Sequence, residues 1–213
     1  MKERPILFST EMVKAILEGR KSQTRRIMKP QPEYSSGMEK WVLYPKQHPT
    51  VYADLIVANN YCPYGKPGDV LWVRETWGID YFGSAQFWHF KEGLKVKRED
   101  IIYKADDISR DTRFLLDRAW KPSIFMPREA CRIILEVTDV RVERLQDISE
   151  KDARAEGYSY SDWHRMNEEA AGIGLYSVPS KPINWYLELW ESINGKGSWA
   201  KNPWVWVIKY KRI

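Results

Sequence analysis

Residues 131–142 read CRIILEVTDVRV. Cys131, Ile133, Leu135 and Val137 alternate with Arg132, Glu136 and Thr138, the period of a strand with one buried face. The apolar phase then slips by one residue, to Val140 and Val142. Side chains of a strand alternate between faces, so an unbroken strand cannot keep one face inward through that slip. A bulge or bend is predicted near Thr138-Asp139. The chain closes on a second long strand, in which Trp204, Trp206, Ile208 and Tyr210 alternate with Val205, Val207, Lys209 and Lys211. Its first half has apolar residues on both faces and reads as buried on both.

Outward from these two strands, Pro5 to Phe8 reads as a short strand. Ser9 or Thr10 caps a helix with Glu11 in its first turn and Met12, Val13, Ile16 and Leu17 on one face. Gly19 stops it. A basic stretch from Arg20 to Lys29 follows, closed by Pro30 and Pro32. After the turn Gly68-Asp69, Val70 to Val73 is an apolar run of buried-strand type, and Ile101 to Lys104 reads as another strand. Ser149 with Asp152 starts a second helix that Gly157 ends. Tyr186, Leu189, Trp190 and Ile193 mark a third, ended by Asn194-Gly195.

Helices do not alternate regularly with strands, which argues against a doubly wound parallel sheet. The expected class is α+β, a curved or closed sheet with helices on its outside. Insertions near 33–61, 78–117 and 158–181 belong to one domain spanning 1–213. The stretch 33–65 is read as an ordered excursion, because Trp41, Tyr44, Tyr52 and Tyr61 need somewhere to pack, and 106–113 as a charged loop or short helix.

The chain has 213 residues, enough to bury a core without covalent staples. Its 11 Trp and 12 Tyr supply packing and flat faces for stacking bases. A net charge of +5 favours anionic partners mildly. Two cysteines, Cys62 and Cys131, make neither a disulfide framework nor a zinc spacing and read as packed reduced thiols. His48, His89 and His164 have no metal or triad spacing, so neither metal nor cofactor is expected. No signal peptide or membrane span is read, and a cytoplasmic location is expected. The oligomeric state is not readable.

Three segments carry candidate chemistry. In GRKSQTRR (19–26) four of eight residues are cationic. Such a run is ordinarily a solvated loop; its alternative is a site in which an unprotonated Lys21 serves as base to the hydroxyl of Thr24. Arg25 and Arg26 would neutralise a phosphate or polarise a carbonyl. In the segment Trp72 to Trp77, Arg74 and Glu75 abut a buried strand between tryptophans, as a binding rim would; Trp72 is read as core, Glu75 and Trp77 as either. Glu156 ends a helix, where the dipole disfavours a carboxylate, so it is solvated or held there for a purpose.

Together these segments resemble the ASCH family, whose small β-barrel is similar to that of RNA-binding PUA domains. Gly19, Lys21 and Arg26 match its GxKxxxxR-type motif. GRKSQTRR, PGDVLWVRETW, WKPSIFMPR, VERLQDISEKDARAEG and NPWVWVI resemble a longer phage and prophage branch. The resemblance implies a PUA-like barrel with peripheral helices. Small bacterial members are N4-acetylcytidine amidohydrolases that use a lysine, a threonine and a glutamate, which match Lys21, Thr24 and Glu156, with Ser22 standing where their first threonine lies. It implies hydrolysis of an amide on a modified pyrimidine nucleoside, with Arg25, Arg26, Tyr64, Arg74, Glu75 and Trp77 binding substrate and Tyr64 or Trp77 stacking on the base. The alternative is a non-catalytic module binding single-stranded RNA through the same cleft.

Overall fold

The computed structural model describes residues 1–38, 40–43, 53–54, 61–79, 101–106, 120–159 and 181–213. Its strands are β1 (Glu3–Leu7), β2 (Gln23–Ile27), β3 (Glu33–Ser35), β4 (Lys40–Leu43), β5 (Ala53–Asp54), β6 (Val70–Arg74), β7 (Trp77–Ile79), β8 (Ile101–Tyr103), β9 (Ile134–Arg144) and β10 (Trp204–Arg212). Its α-helices are α1 (Thr10–Leu17), α2 (Glu150–Ala155) and α3 (Pro182–Asn194). The class is α+β.

Strand β9 is where the fold is decided. Lys209 of β10 lies opposite Asp139, but the next residue, Tyr210, lies opposite Val137, so Thr138 is an extra residue in β9. This is the bulge that the apolar phase slip requires. Before it, Ile133, Leu135 and Val137 face the larger core, with Ile6, Val13, Ile16, Leu71 and Val73; beyond it Val140 takes over on that same face. Arg141 and Glu143 are thereby turned to the opposite face of the sheet. There they meet Arg25 of β2 and Asp152 of α2. One inserted residue thus serves the core and aims two charged side chains at the site.

The main sheet runs β1-β6-β9-β10-β2, with β1 and β6 parallel and the remaining neighbours antiparallel. Strand β10 is buried on both faces from Val205 to Ile208, as its sequence predicts. Val205 and Val207 pack with Leu145, Ala153, Tyr186 and Trp190 in a second cluster under α2 and α3. The sheet does not close into the expected barrel. Strands β1 and β2 are its two edges and share no backbone ladder among the described residues. What spans them is a side chain, with the Arg26 guanidinium donating to the Leu7 carbonyl at 2.6 Å.

The helix signals hold. Ser9 caps α1 by accepting from the Met12 N–H, Ser149 caps α2 by accepting from the Asp152 N–H, and α3 ends at Gly195. The basic stretch after Gly19 is not a solvated loop: residues 23–27 form β2, paired with β10, and Lys21, Gln23, Thr24 and Arg25 are buried. Helical and basic patterning masked a short strand whose burial comes entirely from tertiary neighbours.

Within 33–61 the described residues build a separate sheet, β3-β4-β5, in which Trp41 packs edge-on to Tyr34 and Trp204. Within 78–117, β7 pairs β8 over Tyr103 and Met126. Tyr44, Tyr52, residues 107–117 and nearly all of the third insertion lie outside the described residues. Cys62 and Cys131 are buried free thiols, and burial pushes the Cys62 thiol up to about 11. Among the described residues no helix is long and apolar enough to cross a membrane.

Deleting Thr138 takes out only the extra residue and leaves Val137 and Val140 in phase on an unbroken β9, so Arg141 and Glu143 stay on the site face. Deleting Thr138 and Asp139 together would send Arg141 and Glu143 to the core face and leave buried Arg25 short of one carboxylate, and is expected to cost about 3–5 kcal/mol of unfolding free energy in urea titrations, whereas Thr138→Ala, which keeps the bulge, is expected to cost under about 1 kcal/mol.

Candidate active site

Gly19, with φ +76°, turns the chain out of α1 so that the Arg20 and Lys21 amides both donate to the Ala15 carbonyl. This folds Lys21 back against the end of α2. The backbones of Lys21 and Glu156 form an antiparallel bridge, and the Ser22 N–H donates to the Ala155 carbonyl at 2.9 Å. Gly157 makes the approach possible. Its φ is +107°, and a Cβ there would lie 3.0 Å from the Ala15 Cβ and 3.3 Å from the Lys21 Cβ.

Backbone proximity brings the side chains together. The Lys21 ammonium donates to the Glu156 carbonyl at 2.8 Å and to its Oε2 at 2.9 Å. Arg25 donates to the other carboxylate oxygen, Oε1, at 3.1 Å. Arg25 also donates to Glu143 and lies 3.6 Å from Asp152, while Arg141 joins Glu143 at 2.9 Å and Asp152 at 3.1 Å. Three cations and three carboxylates therefore balance within one network. The carboxylate that the α2 dipole disfavours is held by two buried cations.

Burial is the first influence on Lys21 and lowers its pKa; the Glu156 charge and hydrogen bond oppose that, and Arg26 and Arg25 reinforce it. For Arg25 burial also works against the charge, but Glu156, Tyr186 and Glu143 outweigh it and its pKa is raised. Tyr186, packed in the second cluster with the Arg25 guanidinium 5.8 Å over its ring, has its phenol pushed well above the ordinary value, by burial and then by Glu156.

A cavity of about 430 Å³ opens beside this network. Thr24, Arg25, Arg26, Tyr64 and Glu156 line it; Lys21 touches it only through Glu156. The apolar stripe of α3, with Tyr186, Leu189, Trp190 and Ile193, also lines it, as does Lys29. Sequence reasoning read that stripe only as the mark of a helix. Its signal was weak, though Ile193 is left 54% exposed where a core residue would be covered. Glu143 and Arg141 were also missed, since their facing is set by the bulge in β9, and Asp152 was read only as part of a helix start.

Arg74, Glu75 and Trp77 do not come to this cavity. Arg74 ends β6, Trp77 begins β7 and Glu75 lies between them, and β9 and β10 stand between β6 and β2. Glu75, 1% exposed, accepts two bonds from Arg132, which also holds Asp106; burial raises the Glu75 pKa despite Arg132. Arg74 holds the Ile124 carbonyl and lies over Trp72. Trp77 packs with Ile79, Tyr103 and Met126 beneath the Lys121 ammonium. All three have partners in this part of the fold.

The three histidines lie outside the described residues, and among those described no group of acidic, His and Cys side chains could hold a metal ion. Comparison with family models, with curated proteins and with solved structures finds no match to this chain. What the site can do rests on its geometry. It offers a buried amine, a hydroxyl, a carboxylate and one half-buried arginine around a pocket of nucleoside size.

A lysine in unfolded chain titrates at the ordinary 10.5, and Lys21 in the folded protein titrates below it. Between those two values the unfolded chain holds the additional proton, so the Lys21 contribution to stability rises with pH through that window. Urea titrations of wild type and Lys21→Met are expected to show a gap that widens in favour of wild type as pH climbs towards 10.5. A narrowing gap would reverse the sign assigned to Lys21.

Proposed function

We propose that this chain is an ASCH-type amidohydrolase that removes the acyl group from the exocyclic nitrogen of a modified pyrimidine nucleoside such as N4-acetylcytidine. The observation that carries the reading is the hydrogen bonding of buried Lys21. A neutral amine has two N–H groups and one lone pair. Lys21, an ammonium in its ion pair with Glu156, gives two N–H groups to that residue, and burial with the Arg26 and Arg25 charges eases the loss of its remaining proton. The lone pair is then left to act as a base.

Lys21 takes the proton of the Thr24 hydroxyl as Thr24 Oγ1 attacks the acyl carbon. The C–N bond breaks, and the nucleoside amine leaves with that proton, relayed from Lys21 through the Glu156 carboxylate to which it is bonded. Water then attacks the Thr24 ester, gives its proton to Lys21 and releases the carboxylic acid, restoring the hydroxyl. Arg26 lines the cavity and polarises the acyl oxygen; a single such donor is worth roughly 3–4 kcal/mol in a well-formed oxyanion site. The Arg25 guanidinium holds Glu156 in place and does not touch substrate. Tyr64 supplies the stacking face.

A role in gripping RNA phosphates through the same basic segment is less well supported, because the Arg25 side chain is wholly buried and spent on carboxylates. Incubation with N4-acylated cytidines and mass spectrometry tests the reading. Wild type is expected to release cytidine, and Thr24→Ala and Lys21→Met each to lose on the order of a thousandfold or more in kcat/KM, with their combination no worse than either. Undiminished turnover by Thr24→Ala would remove the nucleophile and with it the mechanism.

A further inference from the structure

The ladder between β2 and β10 fixes where each backbone group of β2 points. The Met28 N–H donates to the Trp204 carbonyl and the Tyr210 N–H to the Ser22 carbonyl, both at 3.0 Å. The register between these ends is unbroken, with Thr24 opposite Ile208 and Arg26 opposite Trp206. Even-numbered residues of β2 therefore bond to β10. Successive residues of an antiparallel strand aim their backbone groups to opposite sides. The N–H and C=O of Gln23, Arg25 and Ile27 accordingly point off the outer edge of the sheet.

That edge is covered at one end and open at the other. Just before β2, Ser22 donates to Ala155 of α2, and the Gln23 carbonyl accepts from the Tyr210 hydroxyl at 3.5 Å. Past Glu156 the cover stops. Among the described residues nothing pairs with the backbone of Arg25 or Ile27, and β2 has no further strand beside it. Four consecutive residues, 24–27, line the cavity, which a strand achieves only by presenting its edge as well as both faces. Unpaired backbone groups in a concavity are costly unless a ligand or water meets them, and proteins usually blunt or cover such edges.

We propose that the Arg25 carbonyl and the Ile27 N–H form a base-reading edge, a reading that rests on the amidohydrolase assignment. In an extended strand these two groups, two residues apart, point the same way. They suit a flat ring carrying a donor next to an acceptor. The Arg25 carbonyl accepts from the exocyclic N–H of a cytosine-type ring, and the Ile27 N–H donates to the adjacent ring nitrogen. Ile27, half-buried, is the more accessible of the two residues. The apolar side chains of α3 and Tyr64 close over a planar ligand. This bonding would hold the acylated nitrogen against the strand that carries Thr24, and it depends on no side chain of β2.

Amide-resolved NMR of the full chain with cytidine and with 3-deazacytidine, in which the ring acceptor is a C–H, tests this directly. The Ile27 amide is expected to move downfield with cytidine, and the deaza ring to bind about five- to tenfold more weakly. Ile27→Pro removes an N–H that the ladder does not use, so the strand tolerates it, and the two ligands should then bind alike. The edge is overturned if cytidine does not bind, if it binds without moving the Ile27 amide, or if wild type does not distinguish the two rings. Hydrolysis of N4-acetylcytidine with an unmoved Ile27 amide would refute the edge alone. A shifted amide without hydrolysis would refute the amidohydrolase alone.

Discussion

The Glu156 carboxylate, buried at the end of a helix and gripped by Lys21 and Arg25, is the constraint on which the remainder of the site depends. A buried ion pair is not in itself a source of stability, because desolvating both charges can cancel their attraction. Its consequence is coupling. Lys21 follows α1, Arg25 belongs to β2 and Glu156 ends α2, so none of these elements can shift without exposing a buried charge of another. Glu143 and Asp152 extend the coupling to β9 and to the first turn of α2. The geometry around Thr24 is thereby held by electrostatics, on an edge strand that the sheet alone would hold from one side.

That dependence explains two features that look unrelated. Thr138 bulges β9, and the phase beyond it turns Arg141 and Glu143 to the face of Arg25. Gly157, left-handed and pressed against Ala15 and Lys21, lets the ends of α1 and α2 meet closely enough for the Lys21–Glu156 bridge. Each is a local departure from regular structure, and each is required by the same charge network. The open edge of β2 follows as well, since α2 covers that edge only as far as Glu156.

Much of this was legible in the sequence. The slip from Val137 to Val140 located the bulge, Ser9 and Ser149 marked two helix starts, and Glu156 stood out because a carboxylate is misplaced at a helix end. The strand at 23–27 was not legible. Four consecutive polar residues carry no apolar alternation, and their burial is created by partners more than a hundred residues away. Sheet closure was over-read, since a bulge curves a sheet without stating whether its edges pair. For Arg74, Glu75 and Trp77 the pattern of a charged pair beside tryptophans does not say which part of the fold they face, and they lie with Ile124, Arg132 and Tyr103 away from this cavity. Strand order, which local pattern does not encode, separates them from the cavity.

A double-mutant cycle between Lys21 and Glu156 tests the central claim most directly, with unfolding free energies measured for Lys21→Met, Glu156→Leu and their combination. Each single change leaves a buried charge short of its partner and is expected to cost about 3–5 kcal/mol, while the pair of changes should cost less than the sum by 2 kcal/mol or more, roughly the coupling seen for residues in contact. Additive losses, within about 0.5 kcal/mol, would mean that the two residues act independently and that the site is organised by something else.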